Sequence, residues 1–408
     1  MSYKKIPDLS SFFILLGFGL AISCSSPPIL NIELDAGNQA RVNSPLRIPL
    51  SQDFPTGSDY HLLDDNSQRA YPAQILENGD LAIFIDEMPK GFQSTFGLRQ
   101  GKIKDWEYKI LSLVQNEEGI AIEVADQPLL FYQVATAMPP EGLPEYYKRS
   151  GMIHPLYSPS GKVLTDDFPV GHTHQHAIFN AWVNTQFKGE KVDFWNQHQG
   201  TGTVEHVGIL DSASGTTMAG FKTLLSHISL KHGEVLEEEW QIIAYPVEEY
   251  FLFDLISEQV NTSQDTLFIV DYHYGGMGFR GSKEWNIEDS IHYTNDWKIL
   301  TSEGYSNENA NHTHASWVDA SGKVEGETAG LTVFGFPDNY RYPQPIRVHP
   351  SMPYWVYAPM VDGEFTIAPG ERFKSKFRYY VHQGEPDLSV IEQISGDLLS
   401  PIQVRVLE

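Results

Sequence analysis

The sequence predicts an all-β protein, a small N-terminal β-sandwich followed by a large antiparallel β-sandwich, on three observations. Apolar residues recur at every second position in short runs, the period of a strand with one buried face. Turn formers such as Asn78-Gly79-Asp80 and Pro89-Lys90-Gly91 separate those runs. Helical periods are scarce, and there is no Rossmann fingerprint, P-loop or heptad series, which argues against a parallel α/β architecture.

Taken in order, the chain opens with Lys4 and Lys5, a mainly apolar run over 12–22, and then Ser23, Cys24, Ser25, Ser26, Pro27 and Pro28. This is the order of a signal peptide. It resembles a bacterial lipobox in which Cys24 becomes the acylated first residue of the mature protein, with Ala21 where Leu is usual. The run is about half of the ~20 residues needed to span a bilayer, so residues 1–24 are expected to be removed or acylated rather than to cross. The expected setting is the bacterial envelope, the body being held at the outer membrane by lipid. Runs at 30–35, 46–50, 81–85 and 96–98 build the N-terminal sandwich, residues 25–125, with a strand pair expected over 105–119. A second series starts at 120–124 and opens the large sandwich, residues 126–408. Within it, 138–144 holds Pro139, Pro140 and Pro144 and cannot continue a ladder, so it is a linker or an active-site loop. Alternation returns at 235–244, 250–258, 266–274, 331–336 and 371–381.

Composition narrows the function. Among 408 residues, 53 acids outnumber 28 basic side chains, giving a net charge of −25. Such a chain repels phosphate backbones and has no basic stripe, so nucleic acid is excluded as a partner and an anionic substrate would need a local basic pocket. One cysteine against 22 Phe, 20 Tyr and 8 Trp excludes a disulfide scaffold and a thiolate metal cluster.

The histidines are the informative residues. Of 15, six fall between His154 and His206, where uniform scatter would leave about two. In Gly171-His172-Thr173-His174-Gln175-His176 three imidazoles recur two apart, so on an extended strand His172, His174 and His176 share one face. Such a row can run acid and base chemistry near neutral pH, bind a divalent metal, or line a polar groove. No cofactor is assigned by the sequence. Around the row lie Arg149, His154 and Tyr157 upstream, and Trp195 and His206 downstream. Aromatics mixed with amides and acids suit a sugar, whose apolar face stacks while its hydroxyls seek polar partners. Farther on, 271–280 places His273 and a strand before a glycine turn and Arg280, whose planar guanidinium can grip a carboxylate with two parallel hydrogen bonds. A loop over 339–350 adds Arg347 and His349.

These residues carry a resemblance. His154-Pro155 with Ser158-Pro159-Ser160-Gly161, Asp167-Phe168-Pro169 before the histidines, Trp182, Asp193-Phe194-Trp195, Gly275-Gly276-Met277-Gly278-Phe279-Arg280 and the loop from Pro337 to Pro343 together resemble a family of secreted bacterial proteins labelled PmoA. That label comes from a methane-oxygenase subunit, an integral membrane protein, which this chain without membrane spans does not match. The resemblance runs over about residues 125–385, and the chain departs from the pattern at Gln175 and Ala177, where His and Gly are expected, and at Ser316, where Arg is common. It implies a part in polysaccharide degradation, and one branch resembles an oligosaccharide dehydratase acting on ulvan, an anionic algal polymer. Dehydration of a terminal uronate would need a base, an acid and a cation or hydrogen-bond donor for the carboxylate. The implied candidates are His172, His174, His176, Tyr157, His206 and His273 for proton transfer, and Arg149, His154, Trp195, Arg280 and Arg347 for holding the sugar. Tyr272 and Tyr274 add phenols.

Three readings follow: a lyase or dehydratase giving a 4,5-unsaturated uronate; a glycoside hydrolase or metal-assisted sugar enzyme; and a surface glycan-binding lipoprotein without chemistry. The carboxylates are plentiful, but no pair has a separation that the sequence fixes.

Overall fold

A computed structural model describes residues 27–108 and 111–407. The expected signal segment and its acylated Cys24 lie outside the described residues. The all-β architecture is the one adopted: nearly every described element is a strand, and every strand pairing is antiparallel. No helix among the described residues is long and apolar enough to cross a membrane.

The N-terminal unit is a seven-stranded sheet in the order Arg41–Ile48, Leu81–Met88, Ala70–Ile75, Tyr60–Leu63, Gln93–Gln100, Leu30–Asp35 and Gln403–Leu407. Its alternation works as the period predicts: in Leu30–Asp35, Ile32 and Leu34 are buried while Asn31 is exposed. They join Leu62, Tyr71, Ile83, Ile85, Phe96 and Leu98 in a core of their own. The last strand comes from the other end of the chain, Ile32 pairing with Val406.

The expected boundary at 125 falls inside a sheet. Leu111–Gln115 and Gly119–Val124 form a hairpin, and Gly119–Val124 pairs with Gln127–Gln133, so hydrogen bonding groups the strands from 111 to 383 with the large sandwich, and only Gln403–Leu407 returns to the N-terminal sheet. One of its two eight-stranded sheets, the front sheet, runs Ile346–Val348, Tyr354–Tyr357, Gly276–Arg280, Ile178–Ala181, Met152–Leu156, Gln127–Gln133, Gly119–Val124 and Leu111–Gln115. The back sheet runs Gly202–Ser214, Ala219–Ser229, Gly233–Ala244, Phe251–Asn261, Arg372–Gln383, Glu327–Gly335, Trp317–Val324 and Trp297–Thr301. Tyr132, Ile153 and Trp182 from the front half meet Phe221, Trp240 and Phe253 from the back in one continuous core. Asn180 crosses this core, donating to the buried carboxylate of Glu238 on the back sheet at 2.7 Å.

Two local expectations change. The glycines of 275–280 are not a turn after a strand: Gly276–Arg280 is itself a strand, and the strand expected over 266–274 shortens to Leu267–Ile269. A helix, Leu388–Leu399, also forms near the C-terminus, capped by Asp387, which accepts from the Ser389 N–H at 2.8 Å.

Candidate active site

The segment carrying the histidine row is a turn, not a strand. The His172 N–H donates to Pro169 O and the Gln175 N–H to His172 O, and the chain enters the front sheet only at Ile178–Ala181. Gly171 makes this turn possible: its φ is +83°, and a Cβ there would fall 1.5 Å from the Glu288 carboxylate. Three rings on one face was therefore a correct inference from a backbone the chain does not adopt. His172 and His174 stay neighbours, 5.6 Å between ring centroids, while His176 turns inward and is wholly buried.

His172 and His174 line a cavity of about 100 Å³ with Gln175, Val183, Trp195, Asn196 and Tyr274. A wider hollow of about 320 Å³, where Gln74 of the N-terminal unit meets the turn after Gly202–Ser214, carries no imidazole, phenol or guanidinium. The histidine-lined cavity lies over the face of the front sheet turned away from the back sheet. Along Gly276–Arg280, alternate residues Gly276, Gly278 and Arg280 point to that face. Trp195 rests on Gly278, where a Cβ would come 3.0 Å from the indole. Phe179 and Tyr354 pack edge-on against the indole with centroids 4.2 and 5.8 Å away.

Arg280 is fully buried beside the cavity. One terminal nitrogen donates to Gln175 Oε1 at 2.9 Å, while Nε and Nη2 are buried without a hydrogen-bond partner. Burial lowers its pKa to about 10, partly offset by Asp166 and Glu288, and it remains cationic at neutral pH. Asp166 is itself raised to about 6, mainly by burial. His172 Nδ1 and the Tyr354 hydroxyl are likewise buried and unpartnered. A site with this many orphan donors is costly unless something accepts from them.

The imidazoles are held uncharged. His174 is pushed down to about 3, first by burial and then by His172, His198, His176 and Arg280. Burial, with Arg280, also lowers His172. At neutral pH both can accept a proton or donate a single hydrogen bond.

The other candidates sit elsewhere. His176 lies 2.7 Å from Asp167 Oδ1 and 2.9 Å from Gln197 Oε1, so both ring nitrogens are engaged and it does not line the cavity. His154 packs behind it, Nδ1 2.9 Å from the Thr165 hydroxyl. Tyr157 is bridged through its backbone to Val163 and does not reach the cavity wall. His206 belongs to the inter-sheet region, its Nδ1 2.9 Å from the Thr223 hydroxyl and 3.1 Å from Tyr132 OH. Arg149 is buried beneath the site, its guanidinium 5.5 Å from the centroid of Phe179. Arg347 borders the cavity through Tyr274, donating to its hydroxyl at 3.2 Å and lying 4.9 Å from its ring centroid. His273 packs between Tyr272 and Tyr274 with its ring tilted against both, centroids 4.2 and 4.5 Å away.

Two histidines outside the sequence spacing join the row. His198 lies 5.5 Å from His174, and His349 lies 5.6 Å from His172, centroid to centroid. His349 stands 177 positions from His172 along the chain, so no spacing rule reveals it. Among the described residues, no group of three or more His, Cys, Asp or Glu side chains is placed to hold a metal ion.

A family model described as "Family of unknown function (DUF6807)" matches residues 119–395. No curated protein matches the chain. Among solved structures, the chain is similar to an alpha-mannosidase from Enterococcus faecalis, at 10% identity and TM-score 0.41 over 93% of this chain and 46% of that one. It is similar to the heparan sulfate lyase HepC from Pedobacter heparinus at 9% identity and TM-score 0.33, over 71% of this chain and 38% of that one. It is also similar to a GH36 alpha-galactosidase from Geobacillus stearothermophilus at 11% identity and TM-score 0.34, over 71% and 42%. The chain thus spans less than half the length of these solved proteins.

Proposed function

The chain belongs to the DUF6807 family of unknown function, and from that premise we propose that it is a carbohydrate-active lyase that removes water from a terminal uronic acid of an anionic, ulvan-like oligosaccharide. One observation carries the reading: a small open cavity lined by uncharged His172 and His174 together with Trp195 and Tyr274, beside a buried guanidinium with two unpartnered nitrogens. In a chain of net charge −25, that guanidinium is the local basic pocket an anionic substrate requires.

The residues divide the chemistry as follows. Trp195 and Tyr274 hold the sugar by its apolar face. Arg280 and His172 take the carboxylate, satisfying donors that the protein leaves unpaired. The charge that builds on that carboxylate as the C5 proton departs is stabilised by groups already in place. His174, uncharged at neutral pH, accepts the C5 proton. The C5–H electrons form the C4=C5 bond, the C4–O bond breaks, and the hydroxyl leaves as water with a proton from Tyr274, whose oxygen is held by Arg347. We place the reaction at a bacterial envelope, with Cys24 as the lipid-bearing residue, on the order of charges and apolar residues at the N-terminus.

The test is incubation with a panel of uronate-terminated oligosaccharides, followed by mass spectrometry and near-ultraviolet absorbance. A product lighter by one water and carrying a new conjugated chromophore is expected. Fragmentation of the chain by hydrolysis, or binding with no change in mass, would overturn the reading.

A further inference from the structure

The cavity beside His172 and His174 measures about 100 Å³, below the roughly 300–1,000 Å³ of ordinary small-molecule sites. It holds no more than the reacting end of an oligosaccharide, so the rest of the chain lies outside it. A groove of about 300 Å³, lined among others by Tyr146, Lys148, Thr203, Glu205 and Leu230, borders the turn Gln197–Gln199. Asn196 belongs to the cavity wall, while Gln197 and Gly200 belong to the groove. One turn of 3₁₀ helix therefore separates them, a step of about 8 Å at ~2 Å per residue.

The loop that presents Tyr146 is the proline-bearing segment 138–144, to which the chemistry above gives no task. Its stem is closed by two backbone hydrogen bonds, from the Ala137 N–H to Arg149 O at 2.8 Å and from the Arg149 N–H to Ala137 O at 3.1 Å. The segment leads into the short turn Glu145–Tyr147. Gln197 donates to Lys148 O at 2.7 Å and lies 2.9 Å from His176 Nε2, which fixes this loop to the segment bearing His172 and His174. Tyr146 is 50% exposed and Leu230 is 60% exposed, so the groove offers apolar faces to solvent. Lys148 is paired with Glu145 at 3.0 Å, and the Glu205 carboxylate and the Thr203 hydroxyl add polar groups. Such a surface suits a ring that presents hydroxyls and an apolar face rather than one that presents an acid.

Resting on the dehydratase reading, we propose that this groove is a second sugar subsite, in which Tyr146 stacks on a ring farther along the chain whose terminal uronate sits in the histidine-lined cavity. Glu205 and Thr203 take that ring's hydroxyls, and Gln197 keeps the two subsites in fixed register. The enzyme thereby selects chain length: a substrate of two sugars fills the cavity alone, and a longer one also reaches Tyr146.

The test compares a uronate-terminated disaccharide with the tetrasaccharide of the same series on the full chain. In the wild type kcat/KM favours the tetrasaccharide by roughly tenfold, the size of one aromatic contact. Tyr146→Ala brings that ratio close to one, and Tyr146→Phe, which keeps the ring, preserves it. Tyr146 is exposed, so neither change disturbs the core. Equal kcat/KM for the two lengths in the wild type, or a ratio that Tyr146→Ala does not move, overturns the subsite and leaves the dehydratase reading standing. Calorimetry of tetrasaccharide binding gives a readout that needs no turnover. A Kd weakened roughly tenfold by Tyr146→Ala and kept by Tyr146→Phe, with no uronate dehydrated, overturns the reaction and leaves the subsite standing. Binding of the tetrasaccharide that Tyr146→Ala does not weaken, or no binding at all, overturns the subsite.

Discussion

Under the proposed function, Arg280 shows at the scale of one residue how stability is given up for binding. A fully buried guanidinium with Nε and Nη2 unpaired costs about 1–3 kcal/mol for each unmet donor, and in the proposed reaction the substrate carboxylate removes that penalty. Its fork and not merely its charge is what matters, because two parallel N–H groups match two carboxylate oxygens. We expect Arg280→Lys to raise KM for a uronate by roughly tenfold or more while leaving affinity for the corresponding uronate methyl ester nearly unchanged; equal losses on both substrates would assign Arg280 to structure. The residue itself was legible, since an arginine after a glycine-rich segment already suggested an anion clamp. Its partner was not. Gln175 holds Arg280 from a point 105 positions away, and sequence reasoning had nothing to connect them. His176 shows the opposite error: its spacing put it with His172 and His174, but Asp167 and Gln197 hold it inside.

At the scale of elements, the cavity rests on a strand that carries no side chain where Trp195 packs against it. Gly276 and Gly278 are both held to glycine, but for different reasons. Gly276 has φ +104° and a Cβ there would meet the Tyr357 carbonyl at 2.5 Å, so both conformation and space demand glycine. Gly278 lies in a strand without a positive φ, and its Cβ would meet the edge of Trp195 at 3.0 Å and Phe179 at 3.5 Å. The two alanine variants should therefore separate fold from site. Gly278→Ala shifts the indole that floors the cavity, costing about 1–3 kcal/mol of stability at most and lowering kcat/KM, whereas Gly276→Ala disrupts the sheet and fails to fold at ordinary temperature. Thermal melts and kinetics on both variants decide it, and a Gly278→Ala enzyme with wild-type kinetics would show that Trp195 does not define the sugar site. Alternation in the sequence read most of the antiparallel strands correctly because one face is buried. It misread this one, since a glycine strand carries no hydrophobic period, and it misread the histidine turn, where polar alternation mimics a strand but Pro169 and Gly171 prevent a ladder.

For the whole molecule, the same burial that prepares the histidines makes the fold sensitive to acid. His174 is lowered to about 3 and His349 to about 4, and burial also lowers His172, His154, His206 and His273. An unfolded histidine titrates near 6.5. Above that pH both states are neutral and these groups cost nothing; as pH falls from about 6.5 toward 4, the unfolded chain binds protons that the folded chain refuses, and stability drops. Asp166 works the other way, since a carboxyl raised to about 6 gains protons in the folded state first, but it is one group against several. Other carboxylates that are lowered by hydrogen bonds, such as Asp289 bound to His292, add to the loss below their unfolded values. The expected result is a melting temperature that declines steadily from pH 6.5 to 4, with a shallower decline in His174→Gln, which removes the most strongly lowered of these groups. A melting temperature that rises over this window would mean that the imidazoles are not buried as the fold places them, and the uncharged base at the centre of the mechanism would go with them. Leu30–Asp35 pairs with Gln403–Leu407, a contact across almost the whole sequence that no local pattern could announce, so the strand closing the N-terminal sheet is delivered only after the histidine-bearing sandwich between them has been traversed.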